Sequence, residues 1–175
     1  MATQHSWQIR YDVVPTDRDA VRELVERTGF FHCNEIEIAV ELVDARLNDG
    51  AASGYEFIFA DSTESLLGYA CYGAIPCTAA SFDLYWIAVD PGIQRQGVGR
   101  MLIEAVERQV AAKGGQRIYI DTSGRDQYRP TRAFYERSGF TCEARLEDFY
   151  SPGDDRVIYV KSIKAVSIPS HGTGL

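Results

Sequence analysis

The stretch with the clearest chemical content is Gln94-Arg95-Gln96-Gly97-Val98-Gly99-Arg100. It follows an apolar run ending at Val89 and a Pro91-Gly92 turn, and it leads directly into a helical pattern. The first turn of a helix presents N–H groups without intrahelical partners, and the helix dipole adds partial positive charge at the same end. Two glycines there remove side chains, so an anion can reach the backbone, and Arg95 and Arg100 add flanking charge. A pyrophosphate suits this arrangement. Two familiar nucleotide loops are excluded. No Lys-Ser or Lys-Thr follows the glycines, and Gly97-Val98-Gly99 continues as Arg100-Met101-Leu102, which breaks the G-x-G-x-x-G spacing.

Other reactive residue types form weaker patterns. His5, His32 and His171 make no constellation with a serine or cysteine nucleophile, which speaks against a triad hydrolase. Cys33, Cys71, Cys77 and Cys142 contain no C-x-x-C pair. They suggest neither a metal site nor a disulfide framework, and small buried side chains are the simplest expectation for all four.

The elements that must position the glycine loop follow from periodicity. Residues 7–14 alternate as a strand. A helix opens at Thr16-Asp17-Arg18-Asp19, carries Ala20, Val21, Leu24 and Val25 as its stripe, and stops at Gly29. A second opens at Asn34, with Glu37 three residues on as a capping-box partner, and closes at Gly50. Strands are expected at 55–60, 66–75 and 82–89, followed by a long helix at 97–113 ended by Gly114-Gly115. A strand at 117–123, a helix from Pro130 to about Ser138, and strands at 140–148 and 156–163 complete the order. The helix between strands 82–89 and 117–123 implies a parallel crossover, hence a mixed sheet covered by helices.

This order and two motifs identify a resemblance. Gln94-Arg95-Gln96-Gly97-Val98-Gly99, preceded by Asp83-Leu84-Tyr85-Trp86-Ile87-Ala88-Val89-Asp90-Pro91, resembles the coenzyme A-binding motif of the GNAT acyltransferase superfamily. Ala133-Phe134-Tyr135-Glu136-Arg137-Ser138-Gly139-Phe140 is similar to that family's Phe-Tyr-x-x-x-Gly-Phe block, and the element order matches over 9–163. The resemblance implies an α/β (α+β) GNAT fold, a central mixed, mostly antiparallel sheet of about seven strands with about four helices. It implies one acetyltransferase domain at 1–163, a loose tail at 164–175, and acetyl-CoA as the acyl donor.

Site roles follow from the same resemblance. Backbone groups of Ile87, Ala88 and Val89 would pair with the pantetheine arm, and the amide near Ile87 would polarise the acetyl carbonyl. Gln94, Arg95 and the amides from Gln96 through Gly97, Val98 and Gly99 to Arg100 would hold the pyrophosphate. Tyr135, next to Phe134, would protonate the departing thiolate. The chain departs from the family pattern at Tyr128, where many members carry Asn, and at Thr131, where alanine is common. Ser123, Thr131 or Arg132 would supply the missing contact.

Acetyl transfer to an amine requires loss of a proton from the acceptor, and carboxylates are the candidates. Alternation puts Asp83 on one strand face with Tyr85 and Ile87, and Trp86 opposite, where it reads as core. Asp121 lies near the end of the neighbouring strand. Phe31 and Glu35 begin the segment that walls the acceptor pocket in the superfamily, as does the final loop with Asp148, Tyr150, Asp154 and Asp155. Three chemistries stay open: N-acetyl transfer to a small-molecule or peptide amine, transfer of another acyl group, and a non-catalytic acyl-CoA-binding module.

Composition narrows the partners. The formal net charge of −7 over 175 residues disfavours a general nucleic-acid binder. No apolar run reaches the roughly 20 residues of a membrane span, and residues 1–7 lack the apolar stretch of a secretory signal. A cytoplasmic enzyme without a metal is the expectation, and the resemblance admits a homodimer.

Overall fold

A computed structural model of the protein describes residues 7–163. The tail at 164–175, with His171, and His5 at the other end lie outside the described residues. Seven strands form one sheet in the order β1-β2-β3-β4-β5-β7-β6. They are β1 (Gln8–Arg10), β2 (Glu56–Asp61), β3 (Leu66–Ala74), β4 (Ser81–Val89), β5 (Arg117–Ser123), β6 (Thr141–Ser151) and β7 (Asp154–Ser162). Four helices accompany them: α1 (Asp17–Thr28), α2 (Cys33–Asp49), α3 (Val98–Ala112) and α4 (Arg129–Arg137). Every neighbouring pair is antiparallel except β4 and β5, which run parallel with α3 as the crossover. Among the described residues, no helix is long and apolar enough to cross a membrane.

Each sheet face carries its own core. The α1 and α2 stripes (Val21, Leu24, Val25, Ile36, Ala39, Val43) pack on Phe57, Phe59, Tyr69 and Cys71. The α3 stripe (Val98, Leu102, Ile103, Ala105, Val106, Val110) packs on Ile58, Ala70, Phe82 and Ile118 on the opposite face. Leu102 is fully buried, so truncation to alanine would cost about 2–5 kcal/mol.

Two features of β4 matter for function. Its ladder with β5 has only three pairs, Ser81↔Arg117, Phe82↔Ile118 and Asp83↔Tyr119. From there β5 stays with β7 as far as Ser123↔Arg156, while β4 stays with β3 as far as Val89↔Gly68. The sheet therefore opens between them. The ladder with β3 also slips, because Cys71 pairs with Trp86 but Tyr72 with Leu84, leaving Tyr85 as an extra residue.

Several boundaries differ from the sequence expectation. β1 ends at Arg10, whose guanidinium bonds both Asp17 oxygens at 2.8 Å and Asp61 at 2.8 Å, so the chain turns towards α1. α2 begins at Cys33 with His32 as its N-cap, and the capping-box partner is Glu35, which accepts the His32 N–H at 2.8 Å. Glu37 instead pairs with Arg22 at 2.5 Å. The final hairpin closes on Pro152-Gly153 with Ser151 facing Asp154, which draws Asp154 into β7. Only Cys71 is buried; Cys33, Cys77 and Cys142 are exposed, because they lie at a helix start, a tight turn and an edge strand.

Candidate active site

Where β4 and β5 part, a cleft of about 990 Å³ opens. Its walls come from the α1–α2 turn, the free edge of β4, the start of α3, the end of β5, α4 and the β6–β7 hairpin. Residues 84–89 have no β5 partner, so their backbone offers an unpaired strand edge to an extended ligand.

The α3 end is built from backbone. Gly97 caps the helix at φ 93°, and Arg95 also has positive φ, at 65°. Left-handed residues of this kind turn successive amides towards one concave point. The first intrahelical bond comes from the Met101 N–H to the Gly97 carbonyl at 3.0 Å, which leaves the amides of Val98, Gly99 and Arg100 pointing out of the helix. The Gln96 amide is spent on the Ile93 carbonyl at 3.3 Å, so it leaves the expected anion-binding set. Gln96 and the side chain of Val98 do not line the cleft, and Val98 is buried under α3. A Cβ at Gly99 would lie 3.3 Å from the Phe134 ring, so the glycine keeps the approach to these amides open. Arg95 and Arg100 line the mouth, and Arg100 pairs with Glu104 at 2.8 Å one turn on. The combination fits a long extended arm that ends in a pyrophosphate.

Tyr135 lies in the wall between the two ends, buried against Phe134, Phe140 and Tyr159 at ring separations of 5.7, 6.2 and 5.9 Å. Burial, with a smaller contribution from Tyr128, pushes its phenol well above the usual tyrosine range. Like an ordinary tyrosine it carries its proton at neutral pH, and the shift makes it a weaker acid. Thr131 and Tyr128 also line the cleft. Ser123 is buried, and its hydroxyl bonds the buried carboxylate of Asp154, which also takes Arg125 at 3.0 Å. Arg132 ties the same loop by donating to the Ser123 and Arg125 carbonyls at 2.7 and 2.9 Å.

The structure divides the carboxylates expected at the site. Asp121 lines the cleft and is paired with Arg156. Glu35 lines it from the α2 start. Asp83 does not, because it lies in the closed part of the β4–β5 ladder opposite Tyr119, and the slip at Tyr85 also parts it from Ile87. One extra residue reverses the alternation, so Phe82, Leu84, Ile87 and Val89 all face α3, while Trp86 and Ala88 face α1 and α2. Asp83 is consequently on the opposite face from Ile87, behind Asp121. Burial and the Asp121 charge raise its pKa above the ordinary carboxylate value, and Arg156 partly offsets them.

Phe31 and Tyr85 line the cleft as expected, and Trp86 joins them, its ring 4.8 Å from Phe31. The core assignment of Trp86 is thus only half of its role. Arg125 was missed by sequence reasoning. Its signal is the pairing with Asp154, twenty-nine positions further on by sequence number, which no local pattern reveals.

Residues 18–140 match the model of the acetyltransferase (GNAT) family, and the chain belongs to that family. A GNAT-family protein from Desulfovibrio desulfuricans has a similar structure, with a TM-score of 0.89 and 47% identity over 91% of this chain and 100% of that one. The ribosomal-protein-S18-alanine N-acetyltransferase of Escherichia coli shares the fold at a TM-score of 0.72 and 21% identity, over 94% and 98% of the two chains. An aminoglycoside 6'-N-acetyltransferase solved with coenzyme A shares it at 0.71 and 18% identity, over 92% and 99%. Mycothiol acetyltransferase from Beutenbergia cavernae is 38% identical over 63 residues, which is 36% of this chain and 20% of that protein. The match thus spans about one fifth of that curated relative's length.

Proposed function

We propose that this protein, acting as one domain over residues 1–163, is an acetyl-CoA-dependent N-acetyltransferase that lets an amine attack the thioester directly in a ternary complex. The observation that carries the reading is the opening between β4 and β5, which joins an unpaired strand edge, three free helix amides and a buried protonated Tyr135 in one cleft. When bound, acetyl-CoA supplies a thioester carbon to which the amine nitrogen bonds as the C–S bond breaks and the thiolate leaves. The amides of Val98, Gly99 and Arg100 bind the pyrophosphate, with Arg95 at the mouth. Backbone groups of Ile87, Ala88 and Val89 pair with the pantetheine arm, and the Ile87 amide polarises the carbonyl. Tyr135 gives its proton to the thiolate. Asp121, oriented by Arg156, takes the amine's proton directly or through water, and Asp83 behind it sets the local charge. Phe31, Glu35 and Tyr85 hold the acceptor.

Thermal denaturation with separate ligands tests the reading. Acetyl-CoA at about 100 times its Kd should raise Tm by roughly 5–10 °C, and NAD and ATP should not. An absent shift with acetyl-CoA contradicts the proposal. A shift without free-thiol release on adding any amine would make the protein a non-catalytic acyl-CoA-binding module.

A further inference from the structure

We infer that the acceptor is a small monocationic amine carried on an aromatic body and lacking a carboxylate, an arylalkylamine in type; this rests on the N-acetyltransferase reading above. Six aromatic side chains line the acceptor end of the cleft: Phe30, Phe31, Tyr85, Trp86, Tyr128 and Tyr150. They come from the α1–α2 turn, β4, the turn before α4, and β6, so separate elements converge on one aromatic surface. Phe31 and Trp86 stand 4.8 Å apart, and Phe30 and Tyr128 6.3 Å apart, across the junction of these elements. Phe30, Tyr85 and Tyr150 remain exposed enough to meet an incoming ligand. Aromatic faces attract both a flat apolar body and the ammonium attached to it.

The charges at this end restrict the rest of the molecule. Both arginines are already engaged, Arg125 with Asp154 at 3.0 Å and Arg156 with Asp121. A substrate carboxylate would therefore meet no uncompensated positive charge from either arginine. Glu35 lines the same end and, among the described residues, has no ion-pair partner; its carboxylate accepts the His32 N–H. One unpaired carboxylate balances one ammonium, whereas a polyamine or an aminoglycoside would bring several charges without counterparts. Size points the same way, because the cleft of about 990 Å³ must also hold the acyl-pantetheine arm.

Steady-state rates of free-thiol release at saturating acetyl-CoA decide the matter, with 2-phenylethylamine, phenylalanine and kanamycin as acceptors. The expected kcat/KM for 2-phenylethylamine exceeds both others by at least about tenfold, the scale of leaving a charge unpaired in a site. Phe30→Ala and Tyr150→Ala, at exposed positions that leave the core intact, should each raise KM for 2-phenylethylamine about 3- to 10-fold without changing KM for acetyl-CoA or Tm. Preference for phenylalanine or kanamycin overturns the inference, as does acetyl-CoA binding with no turnover of 2-phenylethylamine. If acetyl-CoA does not bind, or binds but releases no thiol with any amine, the N-acetyltransferase reading itself has failed; thiol release with another amine but not with 2-phenylethylamine overturns this inference alone.

Discussion

At the α3 end of the cleft the groups that face a ligand are backbone amides, whereas at the β6–β7 end they are side chains drawn from several elements. The amides of Val98, Gly99 and Arg100 are fixed by the helix they begin, with Gly97 supplying the left-handed turn and Gly99 the open approach. The acceptor end instead depends on Phe31 meeting Trp86, Arg125 meeting Asp154 and Arg156 meeting Asp121. One end is thus specified by local sequence and suits a ligand common to the family. The other is specified by packing and can differ between relatives of the same fold.

If the division is real, substitutions at the two ends and between them should affect different measurements. Tyr135→Phe, between the ends, should lower turnover by about 100-fold, the scale of a lost general acid, with the acetyl-CoA Kd unchanged in calorimetry; an unchanged rate would remove the proton-donor role. Gly99→Val forces a branched side chain against Phe134, and such overpacking costs about 1–3 kcal/mol. The acetyl-CoA Kd should rise roughly 10- to 100-fold, while acceptor KM at saturating acetyl-CoA stays constant. A matching change in acceptor KM would dissolve the distinction between the ends.

The smallest effect concerns Asp83. Its folded pKa is raised by burial and by Asp121, so the folded state holds this proton where the unfolded chain has lost it. Stability from this residue is full below the ordinary aspartate pKa and falls as pH rises through the raised value. Asp83→Asn removes that fall. In denaturation from acid to neutral pH, the variant should show a shallower decline just above the ordinary carboxylate range and no loss of Tm at pH 7; a destabilised variant would place Asp83 in a favourable ion pair instead.

The same contrast explains what could be read from the sequence. Helix stripes such as Val98-Leu102-Val106, the Gly97-Val98-Gly99 spacing and the Phe134-Tyr135 block are local, and with the element order they are enough to indicate the family and a mixed sheet of about seven strands. The slip at Tyr85 was invisible, because alternation assumes a period of two and an inserted residue leaves no compositional mark. That one residue moved Asp83 away from Ile87 and brought Trp86 to the cleft. Asp154 stands in the sequence only as one of several acidic residues in the final loop beside Pro152-Gly153. It is buried because Ser123 and Arg125, remote in sequence, complete its hydrogen bonds.

Hydrogen–deuterium exchange with and without acetyl-CoA tests the central claim most directly, since it reads the backbone groups themselves. The account predicts slowed exchange at the unpaired β4 edge, residues 84–89, and at Val98, Gly99 and Arg100, with the Gln96 amide little changed. Protection confined to other segments, or none on acetyl-CoA addition, would contradict a donor site between β4 and β5.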